Sequence, residues 1–209
     1  MVRPEPRPGS DESELRLWLD EVDRSMVFRP ASALGMSCGT VTIDPERGRL
    51  LVIWNDRLKL FQLPKGRRNI NETMFSAALR ETYEETGVQV KPVQLDVATR
   101  ATPPRAHHSD TSMKPPNITE GHLSHEFVGA CLYPDPQSET EALKVVYFFA
   151  ATARCTDAGD IGTQEEWEKL NARWIPLSEI WTTLRFKAEI QVVIKTVEDM
   201  RKSGYRISV

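Results

Sequence analysis

The segment from Gly66 to Val88 constrains this chain most, because it carries a cluster of carboxylates at helical spacing. Glu81, Glu84 and Glu85 stand at i, i+3 and i+4, so a helix places them on one arc of about 100°. Like charges that close destabilise a helix, and hard divalent cations with oxygen ligands are the usual compensation. A solvated acidic face is the alternative interpretation when such a cluster is taken alone.

An amphipathic pattern supports a helix in this segment. Asn71 is the expected N-cap, and Glu72 suits the first turn. Gly87 is the expected end of the helix, where a left-handed backbone favours glycine. Four apolar or neutral side chains recur at i, i+4, i+7 and i+11 on the opposite arc, and this stripe can lie on a core: Phe75, Leu79, Thr82 and Thr86.

The rest of the chain predicts an α/β fold with a mixed β-sheet. Alternating or continuous apolar runs predict strands at 32–44, 49–55, 59–63, 89–99, 127–133, 143–153 and 172–176. Helical periodicity predicts helices at 12–23, 177–184 and 187–202. One early helix among strands, with closing helices at the carboxyl end, indicates a sheet between two helix layers.

Composition excludes several function classes. The chain has 209 residues, 40% of them hydrophobic and 27% charged, which is ordinary for one globular domain with a sizeable core. A net charge of −3 argues against a protein that coats nucleic acid. Three scattered cysteines, without a C-x-x-C pair, indicate neither a zinc site nor a disulfide framework: Cys38, Cys131 and Cys155.

Targeting features are not visible in the sequence. The start has no apolar core of a signal peptide, and no apolar run is long enough for a membrane span, so we expect no membrane association. The cytosol is the expected location, with the nucleus as the alternative. A secreted protein whose signal segment had been removed would have the same sequence.

A longer motif surrounds the acidic cluster. The spacing G-x5-E-x7-R-E-x2-E-E-x-G is met by seven residues, which random composition would match at about 10⁻⁹ per start position. These residues are Gly66, Glu72, Arg80, Glu81, Glu84, Glu85 and Gly87. This pattern resembles the Nudix box of the Nudix hydrolase superfamily. Thr82 departs from it, since the family usually has Ile, Leu or Val there, and its place on the core-facing arc makes this a matter of packing.

The resemblance implies a metal-dependent hydrolase of diphosphate bonds. In the family, the residues at Glu81, Glu84 and Glu85 bind Mg²⁺ or Mn²⁺, usually with the carbonyl of the glycine at Gly66. The cation neutralises the diphosphate and lowers the pKa of the attacking water. Either Glu84 or Glu85 is the expected general base.

Two further box residues have implied supporting roles. Arg80 is expected to pair with the carboxylates of the box and to fix their rotamers during catalysis. Glu72 is expected to orient other groups rather than to bind the metal ion.

The family resemblance also implies the domain organisation. The expected fold is an α/β/α sandwich, with residues 13–209 forming a single Nudix hydrolase domain. Residues 1–12 are rich in proline and polar side chains, so they are expected to be disordered. A loop at about 100–126 is unusually long for a compact domain, and such loops often bind substrate.

Basic residues near the box and in the long loop are candidates for binding phosphate groups. In a chain of net negative charge, local positive groups can meet a highly phosphorylated substrate. The alternative is that these side chains are simply solvated. The candidates are Lys65, Arg67, Arg68, Arg100, Arg105, His107 and Lys114.

Acidic residues late in the chain are weaker candidates, because some Nudix enzymes place an extra base or ligand on a late loop. Glu165, Glu166 and Glu168 form one such group, and Glu189 is another candidate. A solvated helix start is the preferred interpretation of both.

The substrate is the least constrained property. The run from Leu63 to Gly66, together with residues 80–85, resembles the Nudix branch that cleaves diphosphoinositol polyphosphates and diadenosine polyphosphates. Pro103 lies 16 residues after Gly87, a spacing associated with ADP-ribose hydrolases, so nucleoside diphosphate derivatives stay open. Decapping of RNA and a non-catalytic module that senses a phosphorylated ligand are further alternatives. The expected partner is a phosphorylated small molecule, with nucleic acid disfavoured and the oligomeric state left open.

Overall fold

A computed structural model describes residues 12–102, 117–135, 138, 142–157, 159–164 and 169–208. The disorder expected for residues 1–12 therefore falls almost wholly outside the described residues. The same holds for Arg105, His107 and Lys114 in the long loop, for Pro103, and for Glu165, Glu166 and Glu168. None of the described helices is long and apolar enough to cross a membrane.

The described residues form four α-helices, ten strands and two short 3₁₀-helices, Ala31–Ala33 and Leu177–Glu179. The first half contains α1 (Glu12–Ser25), β1 (Leu34–Asp44), β2 (Arg49–Asn55), β3 (Leu60–Gln62), β4 (Lys65–Arg67) and α2 (Met74–Thr86). The second half contains β5 (Lys91–Pro92), β6 (Leu95–Asp96), β7 (Leu123–Ser124), β8 (Gly129–Pro134), β9 (Leu143–Thr152), β10 (Leu170–Pro176), α3 (Ile180–Thr183) and α4 (Lys187–Lys202).

The main sheet is mixed, as the sequence predicts. Its central pair is parallel, with β1 and β9 in register from Leu34 opposite Leu143 to Ile43 opposite Thr152. The remaining pairs of this sheet are antiparallel, and the strand order is β10-β2-β1-β9-β5. Outside this order, β3 pairs with β2, β4 pairs with β1, and β8 pairs with β9. Strands β6 and β7 form a separate two-stranded sheet.

Helices cover both faces of the sheet, which confirms the α/β/α class. On one face, α2 contributes Ala77 and Ala78 to a small cluster with Cys38 and Phe149. On the other face, the larger core unites alternate strand residues with the apolar side of α4, including Val41, Val146, Phe148, Ile190 and Val193. Because side chains alternate along a strand, β1 and β9 supply both clusters.

The prediction of one continuous strand at 89–99 is wrong. Two strands of two residues replace it, one pairing with β9 and the other with β7. Pro92 cannot donate a ladder hydrogen bond, which limits how far the first can extend. Asp96 then accepts a hydrogen bond from the backbone N of Gly121 at 2.6 Å, which ties this stretch to the distant loop instead of the main sheet.

Candidate active site

Helix α2 begins and ends at residues with clear capping contacts. Thr73 is the N-cap, and its side chain accepts a hydrogen bond from Ser76 N at 3.1 Å. The predicted N-cap at Asn71 is wrong, because Asn71 has a φ of 65° and lies in the turn before the helix. Gly87 has a φ of 69° and ends the helix as predicted.

The buried face of α2 includes two of the three clustered carboxylates. Glu81 and Glu85 are only 9% and 6% exposed, while the side chain of Glu84 is 43% exposed. The sequence predicted the acidic arc and the buried arc on opposite sides of the helix. They overlap because α2 packs on β4 as well as on β1 and β9, and β4 lies next to the acidic residues.

Thr82, the one departure from the family pattern, lies at the centre of a buried hydroxyl chain. Its Oγ1 donates to Ala78 O at 2.8 Å and lies 2.9 Å from Thr40 Oγ1. Thr40 Oγ1 in turn lies 2.7 Å from Thr42 Oγ1. Since each hydroxyl has one proton, Thr40 donates to Thr82 and Thr42 donates to Thr40. The polar residue is therefore accommodated by partners on β1.

Arg80 organises the acidic cluster. Its guanidinium binds both carboxylate oxygens of Glu72 at 2.8 Å, and its Nη1 donates to Glu81 and Glu84 at 2.8 and 2.7 Å. Its Nη2 also donates to the carbonyl of Arg67 at 3.0 Å. The bonds from Arg80 lower the pKa of Glu72 to about 2, and the same contacts raise the pKa of Arg80. Both groups are therefore ionised at neutral pH.

The two buried carboxylates both meet β4. Glu85 Oε2 accepts a hydrogen bond from the backbone N of Lys65 at 2.6 Å. Glu81 packs against Gly66 so closely that a Cβ atom on Gly66 would lie 1.8 Å from Glu81 Oε2. Gly66 is thus required by a close approach between strand and helix, and the structure brings both acids to neighbouring residues of one strand.

The chemistry of this cluster suits a hard divalent cation. Its atoms are carboxylate and carbonyl oxygens, and buried carboxylates need a compensating charge. In the ranges that the structure describes, no group of three or more acidic, histidine or cysteine side chains is spaced to share a metal ion. Arg80 instead neutralises Glu81 and Glu84 in this structure.

Basic side chains lie on the other face of β4. Lys65 and Arg67 alternate with Gly66, so they project away from α2. Lys144 projects from β9 on the same face as Val146, in the α4 layer. Burial lowers the pKa of the Lys144 ammonium, and the nearby charges of Lys65 and Arg67 lower it further. Three cations therefore share a small region at the start of the central strands.

A cavity of about 490 Å³ opens beside these cations. Among its lining residues are Arg67, Arg68, Lys144, Asp135 and Ser37. Ser37 is 1% exposed, and its Oγ is a buried side-chain atom without a hydrogen-bond partner among the described residues. Sequence reasoning missed Lys144 and Ser37. The available signal was Lys144 itself, the one charged residue within the otherwise apolar run of β9.

The remaining predicted phosphate-binding residues have different locations. Arg68 lines the cavity, and its Nη1 donates to Glu72 O at 2.7 Å, which links the cavity to the acidic cluster. Arg100 is exposed beside the isolated bridge between Thr99 and Thr119, and it does not line the cavity.

Glu189 is not at a solvated helix start, so the preferred sequence interpretation is wrong. It is 4% exposed, and its Oε2 accepts a hydrogen bond from Leu63 N at 3.1 Å. Burial raises the pKa of Glu189 to about 7, against the lowering effect of Lys65 and the Leu63 amide. No local pattern signals this burial, because Leu63 lies 126 positions earlier in the chain.

Comparisons with known proteins agree with this geometry. The sequence model of the family described as NUDIX domain matches residues 34–196. A NUDIX hydrolase from Nitrosomonas europaea has a similar structure at 15% identity, with a TM-score of 0.50 over 84% of this chain and 93% of that chain. None of the curated proteins compared with the chain matches it.

Two further solved structures share the fold. A C. elegans Ap4A hydrolase in a binary complex is 16% identical, with a TM-score of 0.52 over 80% of this chain and 98% of that chain. An E. coli dihydroneopterin triphosphate pyrophosphohydrolase is 12% identical, with a TM-score of 0.51 over 78% of this chain and 94% of that chain. The match of the family model over most of the sequence identifies the chain: it belongs to the Nudix family and is a hydrolase of pyrophosphate bonds.

Proposed function

We propose that this Nudix hydrolase cleaves phosphoanhydride bonds of a highly phosphorylated small molecule, with diphosphoinositol polyphosphates and diadenosine polyphosphates as the preferred substrates. The observation that carries the proposal is the group of cations at the cavity beside β4. Burial lowers the pKa of Lys144 there, and the charges of Lys65 and Arg67 lower it further. Arg67, Arg68 and Lys144 line the cavity. Several clustered cations match a ligand that carries many phosphate groups better than one with a single diphosphate.

The unpartnered hydroxyl of Ser37 supports this assignment. A buried hydroxyl without a partner carries a desolvation cost, which an anionic oxygen in the cavity would offset. The shared fold does not determine the substrate, because it also occurs in enzymes that are named for different substrates.

We further propose that Glu81, Glu84, Glu85 and the carbonyl of Gly66 hold Mg²⁺ or Mn²⁺ when substrate is hydrolysed. A bound cation of this kind neutralises the diphosphate and promotes attack by water. Arg80, held by Glu72, orients Glu81 and Glu84 through hydrogen bonds. The side chain of Glu84 is accessible to water and Glu85 is anchored to Lys65, and each is a candidate general base.

The activity is tested with a substrate panel in the presence of Mg²⁺. The panel contains diphosphoinositol pentakisphosphate, diadenosine polyphosphates, ADP-ribose, nucleoside triphosphates and capped RNA, ranked by kcat/KM. Glu85→Gln is expected to lower the rate by several orders of magnitude while the circular dichroism spectrum is unchanged. Glu126 is a half-buried glutamate outside the box, and Glu126→Gln serves as the control.

The outcomes separate the alternatives. Preference for the inositol or dinucleotide polyphosphates by more than tenfold supports the proposal. A tenfold lead for ADP-ribose would refute the substrate assignment and leave the reaction class intact. Equal rates for wild type and Glu85→Gln, or activity that persists in excess chelator, would refute the role of the acidic cluster. Absence of turnover across the panel together with tight ligand binding would favour a sensing module.

A further inference from the structure

A buried carboxylate on the far side of the sheet contacts the segment that leads into the acidic cluster. Glu189 lies in the first turn of α4, and its carboxylate accepts the hydrogen bond of Leu63 N at 3.1 Å. Leu63 is fully buried, and Gly66 lies three positions after it in the chain. The charge of Lys65 lowers the pKa of Glu189 against the larger effect of burial. On β8, burial raises the pKa of Cys131 and Tyr133, and the charge of Glu189 raises it further.

The short segment from Leu63 to Gly66 is held from both helix layers. Leu63 N donates to Glu189 of α4, whereas Lys65 N donates to Glu85 of α2 at 2.6 Å. Pro64 between them has no N–H and a restricted φ. Both backbone N–H groups available in residues 63–65 therefore donate to buried carboxylates, one on each side of the sheet.

Close packing leaves the backbone of residues 63–66 little room to move. A Cβ atom on Gly39 of β1 would lie 2.1 Å from Pro64 O, so the backbones of β1 and Pro64 are in direct contact. Gly66 is in similar contact with Glu81. A shift at Leu63 must therefore pass along the backbone to Lys65 and Gly66, since neither Pro64 nor its surroundings can absorb it.

From these contacts we infer that Glu189 is a positioning residue: its contact with Leu63 N fixes the 63–66 segment. The segment in turn fixes the Lys65 amide that donates to Glu85, and Gly66 where it approaches Glu81. The consequence for catalysis rests on the proposed hydrolysis, while the structural coupling does not. Burial raises the pKa of Glu189, and the nearby charge of Lys65 in the same segment opposes that rise.

The test measures amide hydrogen exchange by NMR in the metal-free protein, together with binding of Mn²⁺ alone. In Glu189→Ala, the amides of Leu63 and Lys65 are expected to exchange at least tenfold faster relative to the amides of β1. The Kd for Mn²⁺ is expected to rise about tenfold. Glu189→Gln keeps an acceptor oxygen and is expected to restore most of the Lys65 protection.

Asp199→Asn is the matched control, because Asp199 is a buried carboxylate on the same helix, paired with Lys195 and remote from β4. This variant is expected to shift all amides together and to leave the ratio of Lys65 to β1 exchange unchanged. Faster exchange at Leu63 alone, with Lys65 and Mn²⁺ binding as in wild type, would overturn the inference. The same local change in Asp199→Asn would overturn it too. Because exchange needs no turnover, an inactive protein that shows the coupling would refute only the proposed function.

Discussion

Arg80 and Glu72 form a two-point ion pair, with Nε and Nη2 of the guanidinium each 2.8 Å from one oxygen of the carboxylate. This pair orients Arg80 so that its remaining nitrogen, Nη1, reaches Glu81 and Glu84. A lysine could not reproduce this planar arrangement. Glu72 therefore contacts the acidic cluster through Arg80, and the orienting role expected from the sequence stays a prediction.

The Arg80–Glu72 pair makes stability depend on pH in the acid range. The bonds from Arg80 lower the pKa of Glu72 from 4.5 to about 2, so the contribution is complete above pH 4.5 and is lost as pH falls through 2. Glu72→Gln is expected to lower the free energy of unfolding by about 1–2 kcal/mol at pH 6.5, after allowance for solvent screening. Urea unfolding at pH 6.5 and pH 3 should show more than half of that difference gone at pH 3. A difference independent of pH, or an equal effect in exposed Glu46→Gln, would contradict this account.

Gly66→Ala is expected to damage activity more than stability. The new Cβ would lie 1.8 Å from Glu81 Oε2, so the carboxylate must move, whereas the surrounding core is untouched. We expect kcat/KM to fall at least about 100-fold, since a misplaced catalytic group is costly, with only a small drop in Tm. Gly129→Ala is the control, because its Cβ would meet Val192 at an ordinary 3.5 Å. Wild-type activity in Gly66→Ala would show that the close approach is not needed.

The hydroxyl chain through Thr82 predicts energetic coupling between helix and sheet. Thr82→Val or Thr40→Val alone is expected to cost about 1–2 kcal/mol, because the first removes the acceptor of the Thr40 hydroxyl and the second removes the acceptor of the Thr42 hydroxyl. The double variant is expected to cost less than the sum, with a coupling energy of at least about 0.5 kcal/mol in urea unfolding. Thr196→Val removes only a bond to Val192 O in its own helix and serves as the reference. Strictly additive effects would contradict the chain of hydroxyls.

Lys144 is expected to contribute to substrate selectivity. Lys144→Met keeps most of the side-chain length and removes a charge from beside the cavity. The kcat/KM for the most highly phosphorylated substrate should fall roughly 10–100-fold, as expected for loss of a charged contact of about 1.5–3 kcal/mol. Substrates with a single diphosphate should lose less. Lys91→Met, at an exposed position of β5, is the control. An equal loss on every substrate would mean that Lys144 has no selective role.

Glu189 makes stability depend on pH in the opposite sense from Glu72. Burial raises the pKa of Glu189 to about 7 in the folded protein, so the cost of ionising this carboxyl grows as pH rises from about 4.5 through 7. Glu189→Gln is therefore expected to leave stability nearly unchanged near pH 4.5. Above pH 7 it should raise the free energy of unfolding, by on the order of 2–3 kcal/mol at most. Exposed Glu198→Gln should show no such trend in urea unfolding. A flat difference for Glu189→Gln would mean that the carboxyl titrates normally.

Local patterns were sufficient for much of the fold. The bounds of α4 and β2 match the prediction, because periodicity and nearby turn residues determine them. The end of α2 at Gly87 follows from a backbone conformation that glycine favours. The start of α2 was misplaced by two residues, since two polar residues close together, Asn71 and Thr73, both suit an N-cap.

The parts that escaped prediction depend on partners far away in the chain. The 89–99 region is divided because Asp96 bonds to Gly121, and Glu189 is buried because Leu63 faces it. Lys144 joins the cations of β4 only through the pairing of β9 and β4 with β1. In the candidate site, the sequence identified the acidic residues and Arg80, but not which groups lie across the sheet from them.

The parallel pairing of β1 with β9 has a consequence for the order of events during synthesis. These strands are about a hundred positions apart, although β1 also carries β4 and supports α2. A nascent chain released as far as α2 already contains Gly66, Arg80 and every box glutamate, yet it lacks the neighbour that completes the centre of the sheet. Contacts between such distant positions slow folding. Competence for catalysis therefore arises only after β9 has left the ribosome, late in translation.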